Sequence, residues 1–289
     1  MSLVYVVSLV SFVVKNLSNF SDEGLVPELP EVETYRRYFK RFALHKPLRS
    51  VVNTDPKNFP GMTEKRLRKL LVGRYFNTAE RKGKYLVARL DGAGNPGLVV
   101  IHFGMTGSLH FSRSALRSPA YSRTVFVFDD GSLHYVNMRR FGGIWWVTDS
   151  DRFERLKLLG PDPLLEIPSK EALKKILRRS RQPLKQALMN QKLIAGIGNL
   201  YADEILFQSL IDPRRRPGSL KRSEWESLFQ NMKQVLNEAV RLRSEIERFP
   251  RKYLMPHRHG DRKCPRCGSN LRSLKQGQRT TYYCPVCQS

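Results

Sequence analysis

The spacing of apolar positions changes three times along the chain. In PEVETYRRYFKRF, Val32, Tyr35, Phe39 and Phe42 recur at steps of three and four, the spacing of one helix face. Pro30 suits the first turn of that helix, where its missing N–H is not needed. Glu31 and Glu33 suit the positive end of the helix dipole. From Leu48 to about Val147 the period shortens. KYLVARL, GLVVIHF, TVFVFDD and SLHYVN read as short strands, with DGAGNPG and DDGS as turns, so an antiparallel sandwich or barrel is expected. From Asp151 to about Glu247 helical spacing returns in SKEALKKILRR, RQPLKQALMNQ, NLYADEILFQSL and SEWESLFQNMKQVLNEAVRLRSEI. RFPRKYLMPHRHGDRK then reads as a basic linker to a short cysteine-bearing end, and no internal repeat is visible.

Charge narrows the choice of partner. The chain has 289 residues, with 51 Lys+Arg against 26 Asp+Glu, a net charge of +25. The excess runs along a globular composition rather than a tail, which points to a polyanion and foremost to nucleic acid. A membrane surface fits less well, since there is no long basic amphipathic helix. The apolar run Leu3 to Val14 is too short to span a bilayer and lacks a basic stretch before it, so no membrane association is expected.

All four cysteines fall at the end, as Cys264-x2-Cys267 and Cys284-x2-Cys287. Two such pairs flanking a β-rich stretch can give four thiolates to one tetrahedral zinc. With four sulfur ligands no position stays open for water, so this zinc is structural, and in so short a module it supplies the folding energy. Between the pairs, LRSLKQGQRTTYYC reads as a hairpin with Gln276 and Gly277 near its tip, projecting Arg279. By itself Arg279 is one solvated charge among many. In LIAGIGNLYADEILF, Gly196, Gly198 and Asn199 precede an amphipathic helix. Free N–H groups at a helix start favour phosphate, although an ordinary helix–helix turn explains the pattern as well.

Taken together and in order, the motifs resemble the formamidopyrimidine-DNA glycosylase and endonuclease VIII family of base-excision repair enzymes. PELPEVET at Pro27–Thr34 resembles the family's mature N-terminus, RKGKYLV at Arg81–Val87 its lysine strand, and IHFGMTGSL at Ile101–Leu109 its intercalation loop. RRFGG at Arg139–Gly143 resembles a second loop, GIGNLYADEILF the helix-two-turns-helix, and the cysteines the zinc finger. PELPEVE favours the formamidopyrimidine branch. The resemblance implies an α+β multidomain fold: an antiparallel β-sandwich, a helix-two-turns-helix domain and a zinc-finger hairpin, with DNA in the cleft between the first two. The corresponding segments are 1–26, an extension unlike the family; 27–150, the catalytic sandwich with its N-terminal helix; 151–250, the helical DNA-binding domain; and 251–289, basic linker and zinc finger.

The resemblance also implies chemistry. Pro27 would be the nucleophile through a free secondary amine, which titrates near pH 8 and is partly neutral at physiological pH. It would attack the sugar C1′ of a damaged nucleotide, and the resulting iminium would acidify the C2′ proton so that both strand phosphates leave by β,δ-elimination. Glu28 would shuttle protons and assist ring opening, with Glu31 as a supporting residue placed among the DNA contacts. Lys84 would meet a phosphate and depress the amine. Lys185, Asn199 and Arg279 would grip the phosphates around the extruded nucleotide. Met105, Arg139, Arg140 and Phe141 would bind the DNA where the base has left the stack. The expected substrate is double-stranded DNA carrying oxidised purines or abasic sites, the enzyme a monomer, and its location the cytoplasm and nucleoid. Two other readings stand beside this one, an endonuclease VIII-like preference for oxidised pyrimidines and an inactive DNA-binding protein.

Three departures from the family pattern stand out. Asn137 occupies the place, two residues before RRFG, where the family usually has an acid. The segment before the zinc module is short and basic rather than long and rich in glycine and aromatics. Pro27 is not residue 1, and a mid-chain amide nitrogen is resonance-locked and not nucleophilic. Residues 1–26 are therefore expected to be absent from the active enzyme, either by initiation at a GTG codon for Val26 with loss of the methionine, or by proteolysis between Val26 and Pro27.

Overall fold

The computed structural model describes residues 26–92, 96–113, 118–149, 153–258 and 262–289. The expectations about the N-terminal extension fall outside these, apart from Val26. The chain divides into two compact units, with Val32–Lys157 in the first and Glu28–Glu31 with Leu158–Ser289 in the second. The division falls after Lys157 rather than at 150. The short helix Glu154–Lys157 closes the first unit, where Arg155 and Phe153 lie 4.6 and 5.6 Å from the Trp145 ring.

Helix α1 (Leu29–Ala43) enters the first unit at Val32, and the chain continues through β1 (Ser50–Asn53), helix α2 (Glu64–Leu71), β2 (Tyr75–Lys82), β3 (Tyr85–Asp91), β4 (Gly97–His102), β5 (Gly107–Ser112), β6 (Ser122–Phe128), β7 (Gly131–Asn137), β8 (Gly143–Val147) and α3 (Glu154–Lys157). Two four-stranded sheets form, in the orders β1-β6-β7-β5 and β2-β3-β4-β8, with every pairing antiparallel. In β3, Leu86, Ala88 and Leu90 alternate inward, the signature of a half-buried strand. Val32, Tyr35 and Phe39 carry α1 into the same core, where Phe39, Phe76 and Phe126 meet edge to face at 4.9 and 5.7 Å. Helix α2 interrupts the β-rich region where strands alone were expected. Thr63 caps it by accepting the Arg66 N–H, and Leu67 and Leu71, one turn apart, bury its apolar face.

The second unit holds helices α4 (Lys170–Leu177), α5 (Leu184–Met189), α6 (Asn199–Gln208) and α7 (Arg222–Arg241), then the ribbon β9 (Arg272–Gln276) and β10 (Arg279–Tyr283). Helix α6 is buried on every side from Tyr201 to Phe207, so its Asp203 and Glu204 must find partners inside the protein. The expected basic linker contributes part of the core. Tyr253, Leu254, Met255 and Arg258 are buried, because Glu204 of α6 accepts the N–H groups of Leu254 (3.1 Å) and Met255 (2.8 Å). Leu254 then joins Phe207, Leu271, Tyr282, Cys264 and Cys284 in a small cluster beneath the ribbon. No helix among the described residues is long and apolar enough to cross a membrane.

Candidate active site

Pro27 leads directly into Glu28, which sits just before α1 and is buried. Its own helix start is capped from the other direction: the Glu28 N–H donates to Glu31 Oε2 at 2.8 Å, half of a capping box. This frees the Glu28 carboxylate, which accepts the N–H groups of Gly198 and Leu200 (3.0 Å) at the start of α6. The Leu29 N–H donates to Gly196 O at 3.0 Å and fixes the same approach. The N–H groups of the glycine turn, for which phosphate binding and an ordinary helix–helix turn are equally open readings in sequence, are engaged by a carboxylate of the chain itself, as the positive end of a helix favours.

Glu31 is buried as well. Its second oxygen accepts the Tyr201 hydroxyl at 2.6 Å, and burial, then the nearby Glu28, push its pKa up. Placed in sequence among DNA contacts, it instead orients Glu28 from inside. Asn199 follows at the first position of α6, with its Oδ1 buried and unpartnered.

Lys185, expected on a phosphate, requires the largest correction. Its ammonium is 1% exposed, paired with Asp203 at 2.7 Å and donating to Thr280 O and Thr281 Oγ1 at 3.1 and 2.8 Å. All three donors are spent within the protein. Arg279 matches its expectation of exposure. It opens β10 beside Gly277, whose φ of +60° turns the ribbon, and makes no ion pair among the described residues. Gln276 does not sit free at the tip. Its amide is buried and donates to Pro213 O at 3.1 Å.

In the first unit Lys84 occupies the turn between β2 and β3 rather than a strand. Burial, and after it the charge of Lys84, hold the His102 imidazole at a pKa of about 4. The loops bearing Met105 and Arg139–Phe141 lie backbone to backbone. A Cβ on Gly104 would come within 2.3 Å of Gly142 N, and one on Gly142 within 2.2 Å of the Tyr135 hydroxyl, so neither position admits a side chain. Asn137 ties both loops. Its Oδ1 accepts from Arg140 N (2.9 Å) and Thr106 Oγ1 (3.2 Å), while its Nδ2 donates to the Tyr135 hydroxyl (2.7 Å). An amide serves here because the site asks for an acceptor on one side and a donor on the other.

Phe141 is 60% exposed, with the Arg139 guanidinium 5.2 Å from its ring centre. Met105 is half-buried, and Met138, not anticipated, is exposed beside them. Arg140 turns away from this group and pairs with buried Asp55 through two bonds of 2.7 and 2.9 Å, which makes it an anchor of the loop rather than a free DNA contact. Asp55 carried no sequence signal, since its partner lies 85 residues further on.

The sulfurs of Cys264, Cys267, Cys284 and Cys287 lie within 4.8 Å of one another. Two pairs stand at 3.6 Å (Cys267–Cys284) and 3.9 Å (Cys264–Cys287). Tetrahedral zinc with bonds of about 2.3 Å sets its sulfurs roughly 3.8 Å apart, so the donors fit that ion. The Arg266 and Cys287 N–H groups point at Cys264 and Cys284 sulfurs at 3.4 and 3.3 Å, the support that thiolates receive in such sites. The zinc holds the ribbon in place and has no open position for a reactant.

A β-sandwich with an N-terminal Pro-Glu helix, a two-turn helical unit and a four-cysteine ribbon together define a base-excision DNA glycosylase architecture. Family models match in the same order: the formamidopyrimidine-DNA glycosylase N-terminal domain at residues 26–144, its H2TH domain at 159–250, and the zinc finger found in FPG and IleRS at 262–289. The chain belongs to the formamidopyrimidine-DNA glycosylase family. It is 36% identical over 272 residues to the formamidopyrimidine-DNA glycosylase of Pelobacter propionicus, covering 91% of this chain and 100% of that one. It is 34% identical over 277 residues to that of Thermus thermophilus, covering 91% and 98%. Among solved structures, Lactococcus lactis Fpg bound to DNA containing FAPY-dG superposes with a TM-score of 0.79 at 28% identity, over 90% of this chain and 99% of that one. The same enzyme with DNA containing an abasic site gives 0.77 at 28% identity, over the same shares.

Proposed function

We propose that this protein is a bifunctional DNA glycosylase and abasic-site lyase that removes oxidised purines, 8-oxoguanine and formamidopyrimidines, and nicks the strand by β,δ-elimination. One observation carries the reading. The residue after Pro27 is a buried glutamate whose carboxylate is locked onto the start of α6 while Glu31 fixes its backbone. This sets a proton-handling group at a defined place one residue from the nucleophile.

Pro27 acts as a free secondary amine, once the residues before it are gone. Its nitrogen lone pair forms a bond to C1′, and the electron pair of the C1′–base bond leaves with the base, which takes up a proton. Glu28 delivers a proton to the ring oxygen as the C1′–O4′ bond opens and the iminium forms. Loss of the C2′ proton feeds electrons into the iminium and expels the 3′ phosphate. A second elimination expels the 5′ phosphate, and water then releases Pro27. Arg279 and Asn199 hold the phosphates. Phe141, Arg139 and Met105 fill the vacated stack, a thioether and a phenyl ring wedging while the arginine reads the orphaned base edge. The protein's substrate in the cell is then genomic DNA, which puts its expected location at the nucleoid.

Borohydride trapping tests the proposal. A chain beginning at Pro27 should form a covalent adduct with an oligonucleotide carrying an oxidised purine, and a chain with Met1 verified intact should not. Efficient trapping through the intact chain would force a different nucleophile. No adduct from either would leave a DNA-binding protein, and trapping only on an oxidised pyrimidine would move the substrate to the endonuclease VIII-like class.

A further inference from the structure

The zinc holds only one end of the ribbon that carries Arg279. The cysteines cluster beyond Tyr283, whereas Arg279 opens β10 at the other end of a five-residue strand. At about 3.3 Å per residue, some 16 Å of ribbon separates them. A two-stranded ribbon is marginal by itself in water. The far end must be positioned by something else.

Asp203 of α6, holding Lys185 of α5, stands between the two ends, with its carboxylate on Tyr282 and Lys185 reaching Thr280 and Thr281. Its side chain has no exposure, and three elements converge on it: Lys185 of α5 at 2.7 Å, Arg258 at 3.3 Å, and the Tyr282 N–H of β10 at 3.1 Å. Lys185 continues to Thr280 O and Thr281 Oγ1, the two residues after Arg279. The Thr281 hydroxyl in turn donates to Gln276 Oε1 at 3.1 Å, which joins the opposite strand to the clamp. Arg258 lies over the Tyr282 ring at 4.8 Å. Two buried cations around one carboxylate make a poor device for stability alone, because apolar groups of the same volume usually serve as well or better. They make a good device for direction, since each donor fixes one strand position.

We propose that Asp203 is the positioning residue for Arg279: through Lys185 and the Tyr282 N–H it sets the place of the ribbon tip, and with it the arginine that meets the lesion-strand phosphate. The inference rests on the reading that Arg279 contacts DNA.

The test is a double-mutant cycle in the zinc-loaded chain beginning at Pro27. Asp203→Asn, Arg279→Ala and their combination are compared for zinc content, cooperative unfolding and single-turnover cleavage of lesion DNA at several DNA concentrations. Asp203→Asn should keep its zinc and lose roughly tenfold or more in cleavage at low DNA. In that background Arg279→Ala should cost less than about twofold, against about tenfold in the parent. Thr281→Val, an isosteric change that cuts the Lys185 and Gln276 links, provides the same cycle if Asp203→Asn fails to fold, with a smaller loss that also vanishes beside Arg279→Ala. Equal costs of Arg279→Ala in both backgrounds would overturn the clamp and leave the role of Arg279 standing. A silent Arg279→Ala in the parent would overturn both.

Discussion

Burial suppresses the charge of different groups in the two units. In the sandwich it holds histidines neutral: it brings His102 and His134 to about 4, and His134 lies between the hydroxyls of Ser122 and Ser132 at 2.9 and 2.8 Å, while the buried acids Glu33 and Asp55 are held below the usual carboxylate range by arginine partners. In the helical unit it acts mainly on acids. Glu28, Glu31, Asp203 and Glu204 are all under 5% exposed, and burial raises Glu31, Asp203 and Glu204, the last to about 7. A sheet satisfies its backbone through its neighbours, so its buried polar side chains need only brace strands and loops, which neutral imidazoles, amides and arginine-paired carboxylates such as Asp55 do. A turn-helix-turn unit exposes N–H groups at every helix start and linker, and carboxylates are their strongest acceptors. The unit with the most helix ends therefore gathers the acids, and proton-transfer chemistry is built from what that unit already requires.

The largest expected effect separates the units by metal. Chelation of the zinc should abolish lesion cleavage while the near-ultraviolet signal of Trp145 and Trp146, both in the sandwich, persists. Arg279→Ala alone should cost about tenfold with zinc retained. Measuring zinc content, tryptophan emission and strand cleavage on one sample decides it. Full-rate cleavage by metal-free protein would remove the ribbon from the active machinery.

Next comes the acid nearest the nucleophile. Glu28→Gln keeps the shape and one acceptor for the start of α6 but cannot carry the proton. Cleavage by the chain starting at Pro27 should fall on the order of 10²-fold, the usual weight of general acid–base catalysis, with affinity for abasic-site DNA changed only slightly. A parallel loss of affinity and rate would reduce Glu28 to a helix cap.

The smallest effect is on stability against pH. The neutral histidines have folded pKa values near 4 against 6.5, so their stabilisation is complete above 6.5 and disappears as pH falls through 4. Glu204 is raised from 4.5 to about 7, so its contribution is complete below 4.5 and disappears as pH rises through 7. Each is worth up to about 3 kcal/mol. Unfolding followed through Trp225 alone, buried in the helical unit, should have its higher midpoint at pH 5. Followed through Trp145 and Trp146, the higher midpoint should come at pH 8. Midpoints moving together in one direction would break the comparison.

Much of this was legible in the residues themselves. The cysteine spacing determined the zinc ligands, since four thiolates at those intervals have few other uses. Alternation marked the main strands, and the three-and-four steps marked the helices from α4 onward. PELPEVET pointed to Pro27 and Glu28 through resemblance. These signals are local: each is carried by residues within a turn, a strand or a short spacing, and survives without knowledge of what lies across the fold. Helix α2 was lost in a β-rich background because eight residues with two inward leucines make a weak periodic signal.

Only the tertiary structure decided which charges are free. Lys185 and Arg140 read as basic residues for DNA, yet one is buried on Asp203 and the other paired with Asp55. Asn137 read as a departure from the family and proved to be the tie between two loops. Glu28 read as a cap for its own helix or a catalyst, and its carboxylate caps a helix 170 residues away. The physical reason is the same in each case. A side chain's charge is visible in sequence, but whether water, DNA or a partner group neutralises it depends on what the fold brings within about 3 Å, a distance that sequence separation does not predict.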